Sequence, residues 1–447
     1  MLLDIMIDIK MLRDDPSIYR KAMIDRFMDP SPIEEFLKLD QEWRDNLKKI
    51  NDLRAKRNAK SIEVSKAVKE KRDAEAVKKE VKEINASLAE LEERQRIVEH
   101  DRDRALNVIP NLLENSVPIC KGDENNLVVR VHGEANVRED SLDTFLKESN
   151  NLGKYNLVKE TYSHVDLIEK YDLVDLDRAT KIAGARFYVT KNRLLKLELA
   201  LVNYAIDFLS QKGFSVVEPP PMIAGNAVWK ATDQGTFDDA IYKIEGEDLY
   251  LISTSEHPIA SMLMDEIVEP RELPLKVGGF SPCFRKEAGA HGKDTKGIFR
   301  VHYFKKVEQF IFCKPEDSWD FFDELTGNTE EFLQSLGIPY RVVNVCSGEL
   351  GNLAAKKFDI EGWFPHQGRY RELASISNDL DYQARSLNIR YRSSEGNIFV
   401  HTLNGTAMAS SRTMVAIMEN FSEKDRIKIP DALIPYTGFD SIYLEKP

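Results

Sequence analysis

From Ile33 to Ala105 the chain contains neither proline nor glycine and is dense in Lys, Glu, Arg, Ala and Leu. Such a stretch has few ways to turn, and its residues are strong helix formers. In its second half Val77, Val81, Ile84, Leu88, Leu91, Gln95, Val98, Arg102 and Ala105 follow alternating steps of four and three, the seam of a coiled coil. Phe36, Trp43, Leu47, Ile50 and Leu53 carry a looser version in the first half. The two halves are expected to close as an antiparallel hairpin whose reversal lies near Val68 to Ala74. Helices of about 35 residues would be about 50 Å long at 1.5 Å per residue, so the hairpin should reach well beyond a globular body.

Charge gives the hairpin a purpose. Ten basic residues against three acidic ones between Lys48 and Arg72 make that segment +7 inside a chain whose net charge is −12. The whole chain therefore does not read as a general nucleic-acid binder, but this basic half has the footprint of a phosphate-backbone contact. A charge run alone is more often a solvated helix face, so other features must decide. Pro110 and Pro118 stop the helix, and the polar segment around them reads as a linker. The expected division is residues 1–110 as a helical unit and 111–447 as a second unit with the linker at its start.

The remaining composition narrows the class. With 42% hydrophobic and 31% charged residues the chain is neither fibrous nor disordered. Its longest run without a charged residue, Gly396 to Ser411, is too short and polar to cross a bilayer. Asp4 and Asp8 interrupt the apolar start, so no secretory signal is expected and the cytoplasm is the expected location. Cys120, Cys283, Cys313 and Cys346 have no metal-pair spacing, and reduced thiols without structural zinc are expected.

In the second unit Leu195, Leu199, Val202, Ile206 and Leu209 mark a helix ending at Gly213, followed by a strand-like FSVVEPPP. Further strands are expected at LYLIS (from Leu249), KVGGFSPCFR (Lys276), IFRVHYF (Ile298), VEQFIFC (Val307), FDIEGWF (Phe358), RELASISN (Arg371) and NIFVHTL (Asn397). Several are joined by loops too short for a crossover helix, so the sheet should be mainly antiparallel. Neither a Rossmann glycine fingerprint nor a P-loop is present.

CFRKEAGAHGKDTKGIFRVHYFKKVEQF, from Cys283 to Phe310, is the most informative segment. Arg285 and Glu287 share one face of their expected strand, as do Phe304 and Glu308 on the next. Arg can clamp a phosphate or carboxylate, Glu can receive an amine, and Phe offers a ring for a base. A cross-strand salt bridge would use the same Arg and Glu, so this segment does not decide alone.

The wider pattern resembles the seryl-tRNA synthetases, of the class II aminoacyl-tRNA synthetases. KGFSVVEPPP resembles motif 1 of that class, the FRKE-to-FRVHYFKKVE stretch motif 2, and NGTAMASSRTMVAIMEN motif 3, in the right order, together with TSE at Thr254, Ser255 and Glu256. The resemblance implies an α+β chain: a long antiparallel helical hairpin, then a class II catalytic domain with a mainly antiparallel sheet flanked by helices. It further implies a homodimer, built largely through motif 1, that uses ATP and Mg²⁺ to activate L-serine and load tRNA(Ser), with tRNA(Sec) as a second substrate where present.

By the same resemblance Arg285 would hold the α-phosphate and orient the serine carboxylate, and Arg412 would meet the γ-phosphate. Phe304 would stack on adenine, with Lys286, Glu287, Val301, Leu373 and Ala374 as further ATP contacts. Glu372 and Ser375 would contact ATP and the metal. Thr254, Ser255, Glu256, Glu308, Asn404 and Thr406 would line the serine pocket with Arg285. Lys48, Lys49, Arg54, Lys56, Arg57 and Lys60 would meet tRNA. No side chain need act as nucleophile, and His257 beside TSE is expected to serve packing. Ser410, Ser411 and Ala374 depart from common family residues and bear on fine geometry. The family's zinc-dependent form is not indicated. Other readings are an amino acid:carrier-protein ligase, which needs no basic hairpin, an inactive tRNA-binding paralogue, and a structural coiled coil, which leaves the later motifs unused.

Overall fold

The computed structural model describes residues 6–232, 240–287, 294 and 296–443. The chain divides into two compact units, Met1–Pro110 and Asn111–Pro447.

In the first unit, short helices α1 (Ile9–Asp14) and α2 (Pro16–Asp25) precede two long ones, α3 (Ser31–Lys69) and α4 (Glu75–Asn107). The reversal falls within the expected segment. Antiparallel register is visible in the ion pairs Glu42–Arg94, Arg54–Glu92 and Lys60–Glu80, in which residue numbers rise on one helix and fall on the other. These pairs are exposed, so each adds little energy, and apolar burial must hold the hairpin together. That burial is graded along its length. Phe36, Ile50, Leu88, Val98 and Ala105 are fully covered, whereas Val77, Val81 and Ile84, nearer the turn, are only half-buried. Leu47 departs from the expected seam: it is exposed and Asn46 takes the inner position. Near the open end the seam admits charge only where it is met. Asp40, 1% exposed, accepts from Arg13 Nε and Nη2 at 2.7 and 2.6 Å, and Arg102 lies 4.5 Å from the centre of the Trp43 ring.

The second unit is built on a sheet whose described strands are β1 (Leu127–His132), β2 (Ser215–Val217), β3 (Leu275–Phe284), β4 (Tyr303–Cys313), β5 (Tyr340–Asn344), β6 (Lys356–Phe364), β7 (Arg369–Asn378) and β8 (His401–Ala409). Their order is β1-β5-β6-β7-β8-β4-β3-β2. Every neighbouring pair is antiparallel except β3 with β2. Helices α5 (Asn192–Gln211), α6 (Glu256–Ser261), α7 (Ser318–Ser335) and α8 (Ser410–Phe421) accompany the sheet. Leu194, Leu201, Phe322, Met414 and Ile417 join Val307, Ile376 and Leu403 of the strands in one core.

Several expectations change. Ile298–Val301 is not strand; β4 begins at Tyr303 and runs through VEQFIFC as one element. Arg285 lies just past the end of β3, and Glu287 has a left-handed φ of 51°, so the two are not strand neighbours. NIFVHTL is broken at Val400. Leu195 and Leu199 are exposed, while Val202 and Leu209 are buried as expected and α5 also buries Leu194, Leu197 and Leu201. β1 and β5, not foreseen, complete one side of the sheet. The thiols also differ from expectation: Cys120 and Cys346 are disulfide-bonded across 226 residues of sequence, while Cys283 and Cys313 are free and buried. The fold brings the linker against the segment after β5, where Ser347 N–H donates to Pro118 O at 2.9 Å and Cys346 N–H to Asn126 Oδ1 at 2.9 Å. No spacing rule reports such a juxtaposition.

Candidate active site

A cavity of about 580 Å³ opens in the second unit and has two chemically different ends. At one end are Glu256, Lys306, Glu308, Asp379, Asn404 and Thr406, and at the other Arg285, Glu287, Phe299, Arg300, Phe304, Glu372, Ser375 and Arg412. Strand alternation explains the grouping. Phe304, Lys306 and Glu308 are spaced by two on β4, and Asn404 and Thr406 by two on the neighbouring β8.

The first end is acidic and nearly dry. Thr254 Oγ1 donates to Glu308 Oε2 at 3.2 Å and accepts from Lys306 Nζ and Glu256 N–H, each at 3.3 Å. Lys306 forms an ion pair with Glu308, whose side chain is 1% exposed. Asn404 Nδ2 donates to Asp379 Oδ2 at 3.0 Å, leaving its carbonyl oxygen as an acceptor. Burial, reinforced by the nearby Glu308, pushes the Glu256 carboxyl up to about 7. Burial next to Glu256 raises Asp379 well above the usual carboxylate range. Such an end favours a cation that supplies positive charge without itself being fixed there.

The second end combines arginines with rings. Arg285 Nε donates to Ser253 O at 3.3 Å, and its guanidinium lies 5.3 Å from the centre of the Phe304 ring. Arg300 Nη1 donates to Glu287 Oε2 at 2.9 Å. Arg412 Nη1 lies 3.0 Å from Glu372 O and 3.1 Å from Glu372 Oε1, and its guanidinium is 5.3 Å from the Phe299 ring centre.

Glu372 and Ser375 are separated by three residues and would face opposite ways on a regular strand. Here Glu372 pairs with Glu361 and Ala374 with Ile360, leaving Leu373 as a bulge residue. The bulge turns Leu373 and Ala374 into consecutive buried positions and sets Glu372 and Ser375 on one wall. Ser375 Oγ donates to Asp359 Oδ1 at 2.5 Å, so its lone pairs remain available. Arg412, with Lys357 and Arg285, holds the Glu372 carboxyl well below its ordinary range, whereas burial moves Asp359 upward. Among the described residues no group of three or more His, Cys, Asp or Glu could hold a metal ion. An ionised carboxylate beside a hydroxyl nevertheless suits a hard cation whose remaining ligands are water or phosphate.

Not every expected residue reaches the cavity. Ser255 points its hydroxyl to Gly279 O at 3.1 Å, and a Cβ at Gly279 would lie 2.6 Å from that hydroxyl, so this contact requires glycine. Val301 and Ala374 are core residues, and Lys286 N–H bonds to Ala240 O at 2.9 Å. His257 is buried, and burial beside Lys306 and Arg285 pushes it down to about 3, which keeps it neutral. Ser410 accepts from Lys305 N–H at 3.1 Å and donates to buried Glu198 Oε1 at 2.9 Å, joining α8 to α5. Ser411 lines the cavity. In the first unit Lys48, Lys49, Arg54 and Lys56 are exposed, and Arg57 and Lys60 are half-buried; Arg54 and Lys60 pair across the hairpin.

Sequence reasoning missed Lys306, Asp379, Phe299, Arg300 and the Gly348–Ala354 segment, all of which line the cavity. Lys306 was within reach, since it precedes Glu308 by two on one strand. The others depend on loop paths that carry no periodic signal.

Comparison with known proteins follows the same division. Residues 240–421 match the tRNA synthetase class II core domain (G, H, P, S and T), and residues 6–113 match the seryl-tRNA synthetase N-terminal domain. The chain is 58% identical over 442 residues to a serine--tRNA ligase of Thermoplasma acidophilum, spanning 99% of this chain and 100% of that one. Among solved structures it resembles the seryl-tRNA synthetase from Pyrococcus horikoshii complexed with ATP, at TM-score 0.91 and 44% identity, covering 98% of this chain and 100% of the other. It also resembles the cytoplasmic serine-tRNA ligase from Naegleria fowleri in complex with AMP, at TM-score 0.81 and 37% identity, covering 98% and 99%.

Proposed function

The chain belongs to the seryl-tRNA synthetase family, and from that premise we propose how its residues activate serine with ATP and transfer the seryl group to tRNA. The observation that carries the assignment of roles is the two-ended cavity: buried carboxylates at one end, arginines and aromatic rings at the other, and Arg285 beside both.

Serine enters the acidic end. Its ammonium meets Glu256, with Asp379 and the Asn404 carbonyl behind, and its hydroxyl meets Glu308 and Thr406, with Thr254 bonded to Glu308 from behind. A pocket built to pair a hydroxyl rejects alanine because its buried groups would be left unpaired. ATP occupies the other end, with adenine on Phe304 and Glu287 near its exocyclic amine. Arg285 draws the serine carboxylate and the α-phosphate together, and Arg412 neutralises the far phosphates.

A serine carboxylate oxygen attacks the α-phosphorus, the bond to pyrophosphate breaks, and seryl adenylate forms. The terminal ribose hydroxyl of tRNA then attacks the seryl carbonyl carbon and AMP leaves. These side chains contribute positioning and charge rather than a nucleophile. Glu372 and Ser375 would hold Mg²⁺, which neutralises phosphate charge when bound. The neutral state of His257 agrees with a packing role.

The tRNA substrate is tRNA(Ser), with tRNA(Sec) where an organism has it, and its phosphates meet the exposed lysines Lys48, Lys49 and Lys56 with Arg54, Arg57 and Lys60 alongside. The enzyme acts as a homodimer; exposed Leu195 and Leu199 on α5, the helix that leads into the motif 1 segment, support this as apolar positions left for a second copy. Among the described residues no helix is long and apolar enough to cross a membrane, and the cytoplasm is its place of action. A match that includes the family's N-terminal domain leaves the carrier-protein, inactive-paralogue and structural readings without support.

The test is amino-acid-dependent ATP–pyrophosphate exchange with each of the twenty amino acids and no tRNA. Exchange selective for serine is expected. Exchange selective for another amino acid would overturn the roles given to the acidic end.

A further inference from the structure

Lys306 has no part in the roles assigned above, yet it is a buried ammonium at the acidic end of the cavity. Its side chain is 10% exposed, it forms an ion pair with Glu308 two residues on, and it lies 3.3 Å from Thr254 Oγ1. A buried cation is retained at cost unless its partners use it.

The hydrogen-bond directions show that use. Lys306 can only donate, so Thr254 Oγ1 must accept from it and spend its single proton on Glu308 Oε2. Glu308, paired with Lys306 and already receiving Thr254, turns its remaining acceptor sites to the substrate. A group placed there must donate. The serine hydroxyl does, and the alanine methyl cannot. We propose that Lys306 is a specificity-determining positioning residue, which makes Glu308 an obligate acceptor and thereby selects a hydroxyl-bearing amino acid. This rests on the serine-activating reading of the cavity.

Without the ammonium, Glu308 would be a buried carboxyl facing Glu256 from α6, with Arg285 and the Cys283 thiol near β3 and with only neutral Asn404 and Thr406 on β8. Asp379 lies beyond Glu256, and His257 faces Lys306 and Arg285. Without that pair Glu308 loses the group that holds it toward the serine hydroxyl, whereas alanine, which makes no such bond, loses little.

The experiment measures serine- and alanine-dependent ATP–pyrophosphate exchange between pH 6 and 9 for wild type, Lys306→Met, Glu308→Gln and the double variant. Lys306→Met is expected to lower kcat/KM for serine at least tenfold, lower the serine-to-alanine ratio by a similar factor, and leave KM for ATP within twofold. Because Lys306 acts through Glu308, the double variant should be no worse than Glu308→Gln alone. Should Lys306→Met fail to fold, Lys306→Gln, which keeps a polar donor without the charge, is read in the same way. An unchanged serine-to-alanine ratio, or multiplicative losses in the double variant, would overturn the proposal. Wild type showing no serine-dependent exchange would instead overturn the reading of the cavity on which it stands.

Discussion

The hairpin unit and the sheet unit solve opposite problems with the same residue types. In the hairpin most charge stays near the surface, as in the solvent-accessible pairs Arg54–Glu92, Lys60–Glu80 and Glu42–Arg94, and it enters the seam where it is met, as Asp40 is by Arg13. In the sheet unit, charge is taken inside: Lys306, Glu308, Glu256 and Asp379 are confined at one end of a cavity, where desolvation raises the Glu256 and Asp379 carboxyls. A surface of mobile cations suits a long polyanion read by its backbone. Fixed, desolvated charge suits a small zwitterion that must be told from its near relatives. The difference teaches that burial, not residue identity, decides which task a charged side chain performs.

The contrast can be broken most forcefully in the hairpin's own packing. Phe36→Ala, at a fully buried site, is expected to cost about 3–5 kcal/mol, whereas Val81→Ala near the turn should cost under about 1 kcal/mol. Urea unfolding followed by circular dichroism checks both, and similar losses would remove the gradient. Arg285→Ala should lower exchange about 100–1000-fold, as expected for removal of a group aimed at developing charge, while leaving tRNA binding in place. Filter binding alongside exchange checks this. Cys346→Ser should destabilise the sheet unit by about 2–4 kcal/mol through loss of a long covalent loop. Its measure is the melting temperature with and without reductant, and wild type should respond to reductant while the variant does not.

The smallest effect is in pH. Glu256 titrates at about 7, above its ordinary value, so it is ionised above that pH and neutral below it. The serine ammonium needs the ionised form, and KM for serine is therefore expected to rise about fivefold from pH 7 to pH 6. KM for ATP should move less, because the phosphates meet Arg285 and Arg412 rather than Glu256. A flat serine profile would show that the buried carboxylates do not meet the ammonium.

How much of this was legible depended on periodicity. Steps of four and three gave the long helices and their reversal, since both faces of the pattern lie within one continuous segment. Leu47 and Leu195 were misjudged because a hydrophobic residue one position off the seam still fits a loose repeat, and packing chooses Asn46 and Leu194. In the cavity, Phe304 and Glu308 followed from strand alternation. Glu372 and Ser375 share a wall only through the bulge at Leu373, which alternation forbids and the family resemblance alone suggested. Asp379, Phe299 and Arg300 come from loops, and the Cys120–Cys346 bridge joins segments 226 residues apart, so their neighbours are set by topology.

The division of labour between the units is tested most directly by Lys48, Lys49 and Lys56 replaced together by glutamine, with serine-dependent exchange and tRNA charging measured on the same preparation across salt concentrations. The account expects exchange within twofold of wild type, KM for tRNA raised about tenfold or more, and a salt dependence of tRNA binding shallower by about two in its log–log slope. Equal loss of exchange and charging, or charging with an unchanged salt slope, would contradict it.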